Sequence, residues 1–365
     1  MAIAATLGVR TLFLCHTGNL MEQAIERCKQ FLPDARIGIL RKDKCEIEDK
    51  DIIFGTLQSL YKRDYPQHLL DTIGLTIVDE CHHASSQTFA TAILKLRSRY
   101  ILGLSATPKR KDGLAHIFHW LLGPLLIKVD RTFEHVDCLF VEYTQGNQKE
   151  YTRGKNVNFD KMRKVVAGDA TRNQLIISRI INKHFNSLSG VKRKAVAFSH
   201  LIDHLQLLKV GLGVQYKQLL ESVLGGQYEI RHPSKNVEQI WRTDRNVESL
   251  EFSVGLYLGE MHLPDGKKYK LKKHDYALAE QCDVILATYQ MMAEGVDIPR
   301  MDMAYFLTGN GDIEQPLGRV LRTHPDKNIP AMEYFFDPFS IHQGQGYKAM
   351  NYLKDLGYSI KWEKH

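Results

Sequence analysis

Short apolar segments alternate with segments of helical periodicity along most of this 365-residue chain. The first such segment is 11–15, and a helical pattern follows it from Leu20, with Asn19 and Glu22 spaced as a capping box. Repeated strand–helix–strand order predicts a parallel sheet whose two faces are both covered by helices. The pattern therefore predicts an α/β fold built from doubly wound parallel sheets.

The predicted strands fall into two series, which we interpret as two lobes. The first series comprises strands at 11–15, 51–55, 75–78, 100–104 and 125–129. The second comprises strands at 195–198, 254–258, 284–287, 304–307 and 332–336, with helices at 173–185 and 347–356. The predicted organisation is a first lobe at 1–130, a polar connector at 131–170 and a second lobe at 171–365.

Residues 211–250 have the length and composition of an insertion in the second lobe. Tyr216, Tyr228 and Trp241 alternate there with arginines such as Arg231 and Arg242. Such aromatic residues can stack on single-stranded bases. The alternative, which we prefer, is a small decoration that packs its own aromatic side chains.

Composition excludes several classes of protein. The chain is 25% charged and 44% hydrophobic, as globular proteins are, and no apolar run reaches the roughly 18 residues of a membrane-spanning helix. The formal net charge of +7 permits a phosphate-rich partner without requiring one. Six scattered cysteines without a CxxC pair indicate a reducing compartment, and Arg10 interrupts the apolar start. We predict an intracellular, non-secreted protein (cytoplasm, nucleus or viral factory) without a membrane partner.

Two adjacent carboxylates, Asp79 and Glu80, follow the predicted strand at 75–78. Open parallel sheets bind their ligands at the carboxyl ends of the strands. An Asp there can hold Mg²⁺, and a neighbouring Glu can orient or deprotonate the water that attacks a nucleotide phosphate. An acidic loop at a strand end is the alternative. Residues 81–83, Cys-His-His, form another metal-ligand set, but contiguous ligands are poorly spaced for tetrahedral zinc.

Further motifs stand in a consistent order, and together they resemble those of superfamily 2 helicases. Asp79-Glu80-Cys81-His82 resembles motif II, and Ser105-Ala106-Thr107 resembles motif III. The remaining matches are 11–23 with motif Ia, 55–60 with the next strand-end DNA contact motif, 194–205 with motif IV, 288–297 with motif V and 315–322 with motif VI. The resemblance covers nearly the whole chain. It implies two tandem RecA-like lobes that use ATP and Mg²⁺.

The motif VI pattern, Gln-x-x-Gly-Arg-x-x-Arg at 315–322, indicates a branch of this superfamily. It resembles the branch of xeroderma pigmentosum B-type helicases, phage recombination helicases and type III restriction helicase subunits. Motif VI of DEAD-box RNA helicases usually begins with histidine instead. The resemblance therefore implies DNA as the partner, whether duplex, branched or single-stranded, more than RNA.

The resemblance also implies a role for individual residues. Asp79 would hold Mg²⁺, Glu80 would activate water, and Gln315, Arg319 and Arg322 would complete the catalytic site from the second lobe. It further implies coupling roles for His82, Ser105 and Thr107, nucleotide contacts for Gly295, Asp297 and Gly318, and nucleic-acid contacts for Thr17, Thr56, Gln58, Thr288 and Gly295. Hydroxyl and amide groups suit phosphate oxygens, which carry no base sequence.

Several basic groups have two interpretations. Arg319 and Arg322 are three residues apart on a predicted helix at 312–322, so they share a face and fit arginine fingers or a solvated surface. Lys109-Arg110-Lys111 fits either a phosphate contact or a solvated turn. His200 and His204 have the spacing of a metal pair, but structural histidines are the preferred interpretation.

The sequence departs from the family pattern near its start. These helicases carry a Gly-rich loop with Gly-Lys-Thr before the first helix, and this sequence contains no such string. Residues 1–5 resemble the helix that follows the loop. The expectation is either a piece of a longer protein or a natural form without the loop, with a first lobe truncated at its N-terminus. As written, the chain is expected to bind ATP poorly and to expose a sheet edge.

Three functions remain open from the sequence. The preferred one is the motor core of an ATP-dependent DNA helicase or translocase, with an unidentified nuclease, replication or repair partner. The second is a nucleic-acid-binding protein that keeps the helicase fold without hydrolysing ATP. The third is the motor subunit of a restriction-type complex, whose nuclease would lie on another chain.

Overall fold

The computed structural model describes residues 1–81, 86–105, 120–127, 135–154, 156–185, 193–244, 248–293, 300–322, 324 and 327–365. The chain divides into two compact units, Met1–Asp130 and Arg131–His365. No helix within these ranges is long and apolar enough to cross a membrane.

The first unit is built on a six-stranded sheet with the strand order β3-β2-β4-β1-β5-β6. Its strands are β1 (Thr11–Cys15), β2 (Ile37–Arg41), β3 (Lys44–Cys45), β4 (Ile52–Thr56), β5 (Leu75–Val78) and β6 (Tyr100–Gly103). Its helices are α1 (Ala2–Leu7), α2 (Gly18–Phe31), α3 (Leu57–Lys62), α4 (Gln67–Leu70) and α5 (Ser86–Leu94). All strand pairs are parallel except β2 with β3, so the carboxyl ends of β4, β1, β5 and β6 lie along one edge.

The alternation of side chains along β1 explains why helices cover both faces of this sheet. Phe13 and Cys15 belong to a buried cluster that includes Met21 of α2. Leu12 and Leu14 belong to a second cluster, which is formed with residues of α3 and α5. Since successive strand residues point to opposite faces, an all-apolar strand needs a helical layer on each side. The predicted doubly wound lobe is confirmed.

The second unit is built on a nine-stranded sheet with the order β11-β12-β13-β16-β10-β17-β18-β7-β19. Its strands are β7 (Asp137–Glu142), β10 (Ala195–Ser199), β11 (Tyr228–Ser234), β12 (Val237–Arg242), β13 (Ser249–Tyr257), β16 (Val284–Thr288), β17 (Met303–Phe306), β18 (Ala331–Phe336) and β19 (Ile360–Lys364). Two antiparallel ribbons lie outside this sheet. They are β8 (Thr152–Arg153) with β9 (Asn156–Val157), and β14 (Glu260–His262) with β15 (Lys268–Lys270). Its helices are α6 (Phe159–Ala167), α7 (Ala170–Phe185), α8 (Ile202–Val223), α9 (Lys273–Gln281), α10 (Tyr289–Ala293), α11 (Glu314–Val320) and α12 (Ser340–Asp355). The strands from β13 to β19 in this order are parallel.

The structure differs from the predicted connector at 131–170. Strand β7 lies inside the second sheet, between β18 and β19, and its Phe140 stacks on Tyr334 of β18 with ring centroids 4.8 Å apart. Residues 136–143, whose sequence alternates apolar and polar side chains, therefore include a sheet strand: Cys138 and Phe140 enter one buried cluster and Val141 enters the other.

The predicted insertion at 211–250 is largely continuous with the lobe. Residues 211–223 complete α8, and β11 and β12 form an antiparallel hairpin that widens the sheet through β13. Tyr216 is fully buried and stacks on Phe252 at 4.3 Å, and Tyr228 is also buried. The preferred interpretation, in which these aromatics pack internally, is confirmed for both tyrosines.

Two local predictions were wrong. Residues 125–127 form no strand, although they were placed in one at 125–129; Leu126 and Ile127 are each 78% exposed, so the apolar run has no sheet to enter. Helix α2 begins at Gly18, and its N-cap is Thr17 rather than Asn19. Thr17 has an extended backbone and its hydroxyl accepts a hydrogen bond from the Leu20 N–H at 3.4 Å, as an N-cap requires.

Candidate functional site

The adjacent carboxylates of the first unit lie at the carboxyl end of β5. The Asp79 N–H donates to the Leu14 carbonyl of β1 at 2.9 Å, which fixes Asp79 beside the end of the neighbouring strand. Glu80 follows with a φ of 46°, in the left-handed region, and its N–H donates to the Asp79 carboxylate at 3.1 Å. The chain therefore turns sharply at this point, and both carboxylates stay at the sheet edge.

The electrostatic environment of Asp79 is that of a half-buried acid. Burial raises the pKa of its carboxyl, and the hydrogen bond from the Glu80 N–H opposes that rise. Burial and the nearby Asp79 charge together raise the pKa of the Cys15 thiol to about 12, so this thiol stays protonated. A cation beside Asp79 would relieve the cost of ionising a carboxylate that is withdrawn from water.

A single strand-end carboxylate fits the way proteins hold Mg²⁺. Magnesium keeps most of its water and is commonly bound by one or two carboxylates together with substrate phosphates. In keeping with this, the described ranges contain no group of three or more His, Cys, Asp or Glu side chains that could hold a metal by themselves. Asp79 fits a magnesium ligand of this kind, and the ion would supply charge neutralisation at the phosphates.

The predicted nucleic-acid contacts of the first unit lie on the same sheet edge. Cys15 of β1 pairs in register with Thr56 of β4, so Thr17 and Thr56 follow neighbouring strand ends. Thr17 caps α2 and Thr56 caps α3, where its hydroxyl also donates to Ser59 Oγ at 2.9 Å. Gln58 Nε2 lies 3.4 Å from His16 Nδ1 across this edge. These side chains are brought together, but both hydroxyls already begin a helix.

The predicted coupling residues are only partly within the described ranges. Ser105 follows β6, and the preceding Leu104 exchanges backbone hydrogen bonds with Val78 and Cys81, at 2.8 and 3.1 Å. Ser105 therefore lies at the same edge as Asp79. His82, Thr107 and the basic triplet 109–111 lie outside the described residues, as do Gly295 and Asp297 of the second unit.

The predicted arginine-finger segment of the second unit is shorter than expected. Gln315, Gly318 and Arg319 lie in α11, which ends at Val320, and Arg322 lies beyond its C-cap Leu321. A helix over 312–322, with Arg319 and Arg322 on one helical face, is therefore wrong. Gln315, Arg319 and Arg322 are partly exposed.

Lys327, which belongs to none of the sequence motifs, contacts the end of this helix. Its ammonium donates to the carbonyl oxygens of Val320 and Arg322, the latter at 2.6 Å. A cation on the last carbonyls of a helix satisfies groups that have no partner within the helix. Burial lowers the pKa of Lys327 to about 8.

Thr288, the remaining predicted contact, ends β16 and lies beside Ser199 of β10 in register. The next residue, Tyr289, donates its hydroxyl to the Thr308 carbonyl at 2.8 Å, and His200 Nδ1 lies 2.9 Å from the Thr308 hydroxyl. This part of the second sheet edge is therefore held by hydrogen bonds among strand-end residues.

His204 is a structural histidine rather than a metal ligand. Its two ring nitrogens lie 3.0 Å from Ser199 Oγ and 3.0 Å from Asn173 Oδ1, so both are engaged. Burial lowers its pKa to about 3, and burial likewise lowers the pKa of His200 to about 3. The preferred interpretation of these histidines is confirmed for His204.

A buried ion pair, which no sequence pattern predicted, lies at the same edge of the second sheet. Arg172 donates from Nε and Nη2 to the two carboxylate oxygens of Asp337, each at 2.9 Å, and from Nη2 to the Leu307 carbonyl at 2.8 Å. Both side chains are almost completely buried. The two residues are 165 positions apart in the sequence, so no local pattern could have paired them.

Comparison with known proteins shows which families and relatives this chain is similar to. The sequence profile of the type III restriction enzyme res subunit family matches residues 2–110. The chain is 26% identical over 360 residues to the putative ATP-dependent RNA helicase L396 of Acanthamoeba polyphaga mimivirus, which covers 98% of this chain and 62% of the relative. It is 25% identical over 342 residues to the DNA 3'-5' translocase XPB2 of Sulfurisphaera tokodaii, covering 88% of this chain and 71% of the relative.

A solved structure supports the fold over the same length. The fragment structure of a putative HsdR subunit of a type I restriction enzyme from Vibrio vulnificus matches with a TM-score of 0.58 and 17% identity, over 98% of this chain and 57% of that one. Two lobes, each built on a mainly parallel sheet, define the tandem RecA-like fold. Among proteins of this fold, these matches support a superfamily 2 helicase. The chain spans about 62% of the length of its mimivirus relative.

Proposed function

We propose that this chain is the motor core of an ATP-dependent DNA helicase or translocase. The observation that carries the proposal is the placement of Asp79 and Glu80 at the carboxyl end of β5, where parallel sheets bind ligands. In this proposal Asp79 holds Mg²⁺ on the nucleotide phosphates. Glu80 orients and deprotonates the attacking water.

The second unit contributes the remaining catalytic groups in this proposal. Gln315 and Arg319 project from α11, and Arg322 follows it. Guanidinium groups that reach the transferred phosphate stabilise the charge of the transition state, a large electrostatic effect. Gly318, Gly295 and Asp297 contact the nucleotide, and His82, Ser105 and Thr107 transmit its state to the nucleic acid.

Nucleic acid binds in this proposal along the strand ends that carry Thr17, Thr56, Gln58 and Thr288. The motif VI pattern beginning at Gln315 favours DNA. The relatives include proteins described as an RNA helicase and as a DNA translocase, so the experiment must compare both polymers.

The test is the rate of ATP hydrolysis with Mg²⁺, in the absence and presence of DNA or RNA of one base sequence. The sequence contains no Gly-Lys-Thr string, so the assay includes a form extended upstream in the reading frame. We expect DNA to stimulate hydrolysis more than RNA does. We expect Glu80→Gln to lower the rate about 100-fold or more, because it removes the base and keeps the side-chain shape.

Glu22→Gln is the matched control, since this exposed carboxylate lies on α2 of the same lobe. It should leave the rate unchanged. If neither form hydrolyses ATP while both bind nucleic acid, the proposal fails in favour of a binding protein with a helicase fold.

A further inference from the structure

The most strongly basic described segment of the second unit has no role in the site above. Residues 260–274 comprise the ribbon β14–β15 and the first residues of α9, and we call this segment the basic hairpin. It contains five lysines and two carboxylates, hence a net charge of +3 against +7 for the whole chain. Its lysines are all exposed, at positions 267, 268, 270, 272 and 273.

The basic hairpin lies at the carboxyl edge of the second sheet. It follows directly after β13, which is parallel to β16, and Tyr257 at the end of β13 pairs in register with Ala287. Thr288 is the next residue of β16. The turn that carries exposed Lys235 lies at the same edge, because Val237 of β12 pairs with Gly255 near the end of β13. Sheet topology thus brings six lysines to the edge that carries Thr288.

The basic hairpin is anchored rather than loosely attached. Met261 and Leu271 are buried in the core of the lobe. The Gln206 side chain of α8 donates to the His262 carbonyl at 2.7 Å and accepts from the His262 N–H at 2.9 Å. The Tyr269 hydroxyl donates to buried Asp275 at 2.9 Å. These contacts hold the lysine stems on a fixed platform.

The carboxylates around the hairpin do not neutralise it. Glu260 pairs with Lys268, and Asp265 lies 3.5 Å from Lys267. Asp203 of α8 pairs with His262. These three contacts are exposed, so they contribute little energy and yield readily to a stronger anion. A fourth carboxylate, buried Asp275, directly follows the segment and lies 3.2 Å from His274.

The chemistry of this surface fits binding to the phosphate backbone of a nucleic acid, without recognition of the base sequence. Lysines are compact charges that bind phosphate oxygens, and phosphate contacts carry no base sequence. The one tyrosine of the hairpin is not free to stack, since its ring is covered by the Lys235 ammonium at 4.7 Å. Binding here should depend on salt and not on base sequence.

We propose that the basic hairpin and Lys235 bind the phosphate backbone of a nucleic-acid strand that passes Thr288 at this edge of the second sheet. This site rests on the proposed function, since it extends the nucleic-acid path assumed there. It adds phosphate contacts that none of the helicase motifs supplies.

The test is the salt dependence of binding to a fluorescein-labelled 20-nucleotide strand and to the corresponding duplex, measured by anisotropy from 50 to 300 mM salt without ATP. The variant is Lys267→Gln/Lys270→Gln/Lys272→Gln. Each phosphate contact contributes roughly 0.7 to 0.9 to the slope of log K against log salt. We expect the slope to fall by about 2 and the affinity at low salt to fall about 10-fold or more.

The matched control is Lys183→Gln/Lys354→Gln/Lys361→Gln, which removes three exposed lysines near the opposite ends of the strands. It should leave the slope within about 0.5 of the parent value. Lys267→Arg/Lys270→Arg/Lys272→Arg should restore binding, because it keeps the charge. Circular dichroism and thermal unfolding establish that all variants are folded.

The outcomes separate this site from the proposed function. Equal slopes for the hairpin variant and the control would overturn the site while leaving the ATPase proposal standing. A parent chain that binds with the predicted lysine dependence but never hydrolyses ATP would support the site and overturn the motor. A parent that binds neither DNA nor RNA would overturn both.

Discussion

The two lobes share a parallel-sheet topology, but they use the carboxyl edges of their sheets differently. In the first lobe the strand ends carry partly exposed side chains, Asp79 and Glu80 among them, whose described contacts are mostly with backbone groups nearby in the fold. In the second lobe the strand ends are joined by buried side-chain contacts such as Arg172 with Asp337 and His204 with Ser199. The carboxylates of the first edge therefore stay partly exposed, whereas part of the second edge is stabilised by polar side chains that are buried.

The largest expected effect comes from breaking the buried ion pair. Arg172→Met leaves the Asp337 carboxylate buried without its partner, which typically costs about 3 to 5 kcal/mol of unfolding free energy. Denaturant unfolding, followed by a probe in each lobe, should show the second lobe unfolding earlier and the first lobe unchanged. The double variant Arg172→Met/Asp337→Leu should recover much of the loss. A second lobe that stays equally stable in the single variant would contradict the comparison.

A smaller effect is expected from acid. The ordinary pKa of histidine is near 6.5, and burial lowers that of His204 to about 3. Between these values the unfolded chain binds the extra proton, so the stability of the second lobe is complete above pH 6.5 and falls as pH drops towards 3. The contribution of His204 to this loss should reach about 2 kcal/mol at pH 5, and His200 adds to the loss in the same direction.

His204→Gln isolates this contribution. It should reduce the slope of second-lobe stability against pH between 5 and 6.5, measured by denaturant unfolding at several pH values. His68→Gln, in α4 of the first lobe, is the control and should leave that slope unchanged. Identical slopes in the parent and in His204→Gln would mean that the buried histidine does not titrate with unfolding.

The smallest effect is expected at the first-lobe edge. Thr56→Ala removes the hydroxyl that caps α3 and should lower first-lobe stability by about 1 kcal/mol. Thr56→Ser keeps the hydroxyl and should retain most of the stability. Nucleic-acid affinity is measured on the same proteins. If the alanine variant changes affinity and not stability, the hydroxyl acts on the ligand and not on the helix.

The sequence predicted the parallel lobes well because their strands are local, apolar and bounded by turns. Strands 11–15 and 75–78 lie where the pattern placed them. The sequence pattern did not predict features that depend on residues far apart in the chain. The edge strand β19 and the pairing of Arg172 with Asp337 depend on chain segments that meet only after folding. The strand expected at 125–129 shows the reverse error, since an apolar run without a partner strand stays exposed.

For the candidate site, the sequence predicted the location of the carboxylates but not the end of the helix that carries Arg319. Adjacent carboxylates after an apolar strand are visible in the sequence, and the structure places them at the expected edge. The helix around Arg319 ends earlier than its periodicity suggested, and Lys327, seven residues after Val320, donates to the carbonyls of Val320 and Arg322. Lysine has no fixed position in helix-end patterns, so this contact was not foreseeable. The roles of these residues stay predictions.

The backbone at Glu80 has a further consequence. A non-glycine residue with a φ of 46° occupies a conformation that costs roughly 1 to 2 kcal/mol relative to the right-handed form. Glycine would adopt the same turn without that penalty, but it would remove the carboxylate from the strand end. The residue that is best for folding and the residue that is best for chemistry therefore differ at this position. Sequences that drift towards glycine at position 80 would avoid this backbone penalty as they lost the capacity for hydrolysis proposed above.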